Sequence, residues 1–222
     1  MTSFSISNKR RILEISAVIL TAAGKLIFMD YLEWRLAFVA VAIICWAGYI
    51  IYRSRTTPGI MKYWGFNSEN FKPVLKKVLP FGILAVITFI GIGFYQATIN
   101  ITWHIIPILV LYPVWGIIQQ FLLIALTAGN LQDMKGRKLN KRIIIFLSAL
   151  LFAAVHYPYV WLIIGTFVLA VFYGWIYLTE RNIYVLGLFH GWLGAIFFYT
   201  VVDRDPFLEM FGRLFQIGAN NY

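Results

Sequence analysis

The sequence predicts an all-α polytopic membrane protein, and three observations lead there. Of 222 residues, 61% are hydrophobic and only 13% are charged, with a mean hydropathy of +0.77, a balance foreign to soluble domains. Apolar runs of about 18 residues or more, long enough to cross the hydrocarbon layer, recur along the chain. Basic residues gather in alternate connecting segments, the pattern that orients membrane proteins.

Seven spans are expected, near residues 12–29, 36–52, 78–99, 105–128, 143–156, 160–178 and 183–202. The first carries Glu14 and Lys25, and the fifth is short and stopped by Tyr-Pro-Tyr around Pro158. The start, MTSFSISNKRRILEIS, sets a basic patch before an apolar stretch without a small-residue cleavage site, so it reads as a retained helix. The single cysteine, Cys45, lies in an apolar run and excludes a disulfide framework or thiolate metal site.

Lys9, Arg10 and Arg11 precede the first span, and Arg53, Arg55, Lys62, Lys72, Lys76 and Lys77 separate the second from the third. Lys135, Arg137, Lys138, Lys141 and Arg142 separate the fourth from the fifth, whereas residues 100–104 and 157–159 contain no Lys or Arg. This places the N-terminus in the cytoplasm and the chain, multi-pass, in the plasma (inner) membrane. The net charge of +10 is accounted for by loops beside anionic lipid. Its division among three loops speaks against nucleic acid as a partner.

Residues 1–58 then form a peripheral N-terminal helix pair, and 59–77 a basic, aromatic linker with Tyr63, Trp64 and Phe66 in the headgroup layer. Residues 78–205 form the core bundle. Residues 206–222, with apolar side chains at helical spacing, form a short interfacial helix. No internal repeat of the kind common in transporters is present.

Polar side chains inside spans are expensive and mark function by default. Gln119 and Gln120 interrupt an apolar run, His156 ends the fifth span and His190 lies in the seventh. His104, at a span boundary, reads as an ordinary exposed histidine. Interhelical hydrogen bonding is the plain role for any one such group, at roughly 0.6–2 kcal/mol. Several of them on three spans point instead to one polar, partly hydrated cavity, expected to open to the cytoplasmic leaflet. By helical rise, Gln119 and His190 lie about 10 Å from the cytoplasmic face and His156 about 10 Å further out. No carboxylate lies within the core spans, so a zinc site lacks its third ligand, and no cofactor is expected. Ser148, eight residues from His156, is about 12 Å away along a helix, too far for a nucleophile–base pair.

With these residues in view, the chain resembles the CAAX-processing and bacteriocin-processing intramembrane proteases (the CPBP or Abi family), which are similar to the CAAX prenyl endopeptidase. Three ordered motifs carry the resemblance over about residues 61–206. Phe152-Ala-Ala-Val-His156 matches Phe-x-x-x-His, and LGLFHGWLG places His190 at the first position of His-x-x-x-Asn/Asp. Gln119, Gln120 and Ile124 stand where the family has Glu-Glu-x-x-x-Arg, and Gly194 stands at the Asn/Asp position. The resemblance implies a CPBP-type core and an intramembrane endopeptidase acting on a lipidated or membrane-embedded peptide. It places Gln119, Gln120, His156 and His190 at catalytic positions, with Phe152, Gly194 and Trp115 against substrate.

In the family, glutamate activates water. A carboxamide hydrogen-bonds but cannot accept the proton, so hydrolysis is expected to be weak or lost. The alternative is a non-catalytic pseudoprotease holding a membrane peptide or partner as a chaperone, immunity factor or assembly subunit.

Overall fold

A computed structural model describes residues 6–136 and 139–219, with side chains to Phe215. Arg137 and Lys138 of the third basic loop lie outside the described residues. Nine helices and no strand occur among the described residues: α1 (Asn8–Tyr31), α2 (Arg35–Thr56), α3 (Ile60–Trp64), α4 (Phe71–Gln96), α5 (Ile105–Gln132), α6 (Lys141–Ala154), α7 (Val160–Tyr177), α8 (Ile183–Val202) and α9 (Pro206–Ala219). The protein is an all-α polytopic membrane protein. Six helices, α1, α2, α4, α5, α7 and α8, are long and apolar enough to cross a membrane.

The fifth expected span is α6, and its 14 residues reach only about 21 Å against roughly 30 Å of hydrocarbon. Pro158 disfavours helical geometry in the residue before it, and the chain turns through hydrogen bonds from His156 N to Ala153 O and Tyr157 N to Ala154 O. α6 therefore ends two residues before His156, leaving that side chain at the mouth of a turn.

The two buried charges of α1, Arg11 and Glu14, are explained by packing. Glu14 pairs with Arg53 at 3.0 Å and accepts from Tyr49 Oη at 2.6 Å and Asn130 Nδ2 at 2.7 Å. Asn130 Oδ1 accepts from Arg11 at 3.0 Å, and Arg11 also donates to Tyr63 Oη. Tyr63 in turn donates to Asp133, which pairs with Arg181 at 2.6 Å. Burial first, and the hydrogen bond to Asp133 second, hold the Tyr63 phenol above its ordinary pKa. Buried charge is tolerated here because each member has a partner.

This network gathers Asp133, Arg181 and the start of α1 at one end of the bundle, together with the basic segments; it is termed the basic end. The half next to it is solid. Ile60, Trp64, Phe121, Ile124, Leu126 and Tyr173 are fully buried, and the Trp64 ring meets Phe121 edge-on at 4.9 Å. Trp64 thus belongs to the protein core: α3 turns inward, held by Tyr177 Oη donating to the Trp64 carbonyl at 3.0 Å.

α5 and α8 form the closest pair. A Cβ added at Gly116 would lie 2.5 Å from the Gly187 carbonyl oxygen, and one at Gly191 would lie 2.5 Å from Pro113 N. Small residues let the two backbones touch, the usual basis of tight helix association in lipid. Immediately after Gln120, α5 continues in π-helical geometry over Phe121–Gly129.

Candidate functional site

Backbone contact at Gly116, Gly187 and Gly191 fixes what lies one turn away. It sets Gln119 of α5 beside His190 of α8, with His190 Nε2 2.9 Å from Gln119 Oε1. With the amide oxygen facing the ring, Nε2–H donates and Nδ1 carries the lone pair. That Nδ1 is buried and has no hydrogen-bond partner in the protein.

His156 approaches from the turn after α6. Its Nδ1 lies 2.7 Å from the Phe152 carbonyl oxygen, so Nδ1–H donates and Nε2 carries the lone pair. The Phe152 ring sits between the two imidazoles, with centroids 5.0 Å from His156 and 5.4 Å from His190. A cavity of about 440 Å³ is lined by Gln119, His156 and His190 together with Trp115 and Gly194. Phe152 acts as a spacer behind these groups and is not among the cavity-lining residues.

Gln120 is elsewhere. It is fully buried, does not line the cavity, and neither its Oε1 nor its Nε2 has a protein partner. It lies four residues after Gly116, on the helix face turned towards α8. Adjacent residues on a helix point about 100° apart, so only one of the two amides can face the cavity. Ile124, at the arginine position of the first motif, is fully buried.

The cavity has a charged rim. Lys25, Asp30, Arg35, Arg204 and Glu209 form it; they come from the last turns of α1, the start of α2, the turn after α8 and the first turn of α9, remote from the basic loops. Lys25 pairs with Asp30 at 2.7 Å and donates to the Val155 carbonyl at 2.6 Å. Arg35 meets Glu209 at 3.0 Å, and Arg204 also pairs with Glu209. The Arg204 guanidinium lies 4.1 Å over the Tyr159 ring. The cavity's charged lining thus lies at the far end, whereas the basic half is filled by buried Trp64, Phe121, Ile124 and Leu126. Of the rim residues only Lys25, as a charge inside an apolar run, was visible as unusual in the sequence.

His104 also departs from the sequence reading. It lies 2.5 Å from Asp205 and stacks on Phe207 at 4.6 Å. Burial opposes ionisation of Asp205, but hydrogen bonds from His104, Tyr199 and the Leu208 N–H hold its carboxyl below the usual range. This cluster ties the start of α9 to the core.

Chemically, the cavity offers two imidazole lone pairs, one amide and a charged rim. Among the described residues there is no group of three or more His, Cys, Asp or Glu side chains able to hold a metal ion.

The family model for Rce1-like type II CAAX prenyl endopeptidases matches residues 100–196. No curated protein and no solved structure matches the chain. The matched segment carries Gln119, Gln120, Phe152, His156, His190 and Gly194. It leaves out α1–α4 and every charged residue of the cavity rim.

Proposed function

We propose, with that Rce1-like core as the premise, that this CAAX protease-like membrane protein binds a lipidated or membrane-embedded peptide in the α5–α8 cavity without hydrolysing it at protease rates. The observation that carries this reading is the Gln119–His190 hydrogen bond. Where the family has a carboxylate able to take a proton from water, an amide occupies the position and accepts from His190 Nε2–H. Loss of a general base lowers rates by about 10²–10⁴-fold. Gln120 does not replace it, since its side chain lies outside the cavity. The apolar walls and charged rim remain suited to a lipid chain joined to a polar peptide.

A second reading has one observation in its favour. The His156 tautomer leaves Nε2 free to accept a proton, so residual hydrolysis would depend on His156.

Binding is tested with purified protein in nanodiscs and a fluorescent, S-prenylated peptide. Saturable binding is expected, and Gly194→Phe should weaken it at least tenfold, because Gly194 has open space at its Cβ and lines the cavity. Absence of saturable binding to the unaltered protein would overturn the reading.

A further inference from the structure

We propose that the cavity is loaded from the membrane half facing away from the basic loops, so that its occupant is a lipid-anchored peptide displayed on the non-cytoplasmic side. This rests on the peptide-binding reading above and adds the side from which the peptide comes.

The first argument is the closed end. Below the Gln119–His190 pair the basic half is packed with fully buried Trp64, Phe121, Ile124 and Leu126. Between α4 and α7, Phe81 and Phe172 stack at 4.1 Å. Both lie nearer the basic end than the cavity-lining residues Leu84 and Thr88 of α4 and Ile164 and Val168 of α7. The stack closes the α4–α7 crevice on that side. Above it, Leu84, Ile164 and Val168 are 63%, 50% and 51% exposed. A lipid chain thus reaches the cavity sideways through the far half of the membrane.

The second argument is the rim. A charged group is costly in hydrocarbon, and the five rim residues come from the far ends of α1 and α2, the turn after α8, and α9. Three cations face two carboxylates there, which favours an occupant whose polar end carries negative charge. α9 forms one bank, held to the α1–α2 connection by the Arg35–Glu209 and Arg213–Glu33 pairs. A peptide whose lipid enters between α4 and α7 therefore has its polar end at this rim. With the basic loops in the cytoplasm, the rim faces outward.

The experiment uses full-length protein in a Cys45→Ala background. Met29→Cys, on the cavity wall, reports the rim, and Lys72→Cys reports the basic end. An impermeant maleimide added to intact cells is expected to label Met29→Cys, and Lys72→Cys only after permeabilisation. A charged, S-prenylated peptide added outside should lower Met29→Cys labelling at least fivefold. Tyr159→Cys serves the same purpose should Met29→Cys fail to accumulate. Rim labelling that appears only after permeabilisation would overturn the sidedness while leaving peptide binding intact. Failure of the peptide to protect the rim even in detergent-solubilised protein would overturn the occupant, and the binding function with it.

Discussion

Replacing Gly191 by alanine tests the contact that assembles the site. The new Cβ would lie 2.5 Å from Pro113 N and 2.6 Å from Pro113 Cα and Tyr112 C, all backbone atoms that cannot rotate aside. Ordinary contact begins near 3.4 Å, so α5 and α8 must part by about 0.9 Å. The same displacement, one residue along α8, would lengthen the 2.9 Å Gln119–His190 hydrogen bond to about 3.8 Å, beyond bonding distance. Overpacking of this kind costs about 1–3 kcal/mol. The assay is reversible unfolding in mild detergent, paired with prenylated-peptide binding. Gly191→Ala should lose stability in that range and bind the peptide more weakly. Gly91→Ala, whose Cβ meets nothing within 4 Å, should lose neither. Unchanged stability and affinity in Gly191→Ala would refute the claim that backbone contact positions the site.

Other outcomes follow from the same geometry. Gln120→Met should raise stability, by up to about 1–3 kcal/mol, because it removes two buried polar atoms without partners, and should leave peptide affinity unchanged; a clear loss of affinity would place Gln120 in the cavity after all. Glu14→Gln should destabilise by about 3–5 kcal/mol, since it leaves Arg53 buried without its counter-charge; near-wild-type unfolding would show that the network is not buried as described. Ile124→Arg, although it restores a family residue, should destabilise by a comparable amount, because position 124 is fully buried and has no carboxylate to meet the charge. Expression and monodispersity of that variant in detergent measure it directly.

The helical membrane architecture was legible because hydropathy and helix length are read directly from side chains. The shortness of α6 was only half legible: Pro158 marked a stop, but the last helical residue depends on the turn that follows. Gln119, His156 and His190 could be grouped as polar residues in apolar spans, and they share a cavity. Gln120 could not be separated from Gln119 without the rotation of α5 about its axis, which the contact with α8 sets. Glu14 looked like a defect in its span because its partners Arg53, Tyr49 and Asn130 are 35–116 residues away. The same holds for His104, whose partner Asp205 is 101 residues away. Apart from Lys25, the charged rim left almost no trace, since its residues stand at helix ends or in the turn after α8, where charge is ordinary. That the cavity's charged lining stands away from the basic loops was not legible either, because depth along a helix does not reveal which half of the bundle is filled.

The most direct measurement is product formation from an S-prenylated peptide by purified protein in nanodiscs, followed by mass spectrometry beside a binding isotherm on the same sample. Saturable binding with product no faster than in a His156→Ala, His190→Ala double variant is the predicted result. Rapid turnover by the unaltered chain, abolished by either histidine substitution alone, would contradict it and make the histidines the base that the amide cannot be.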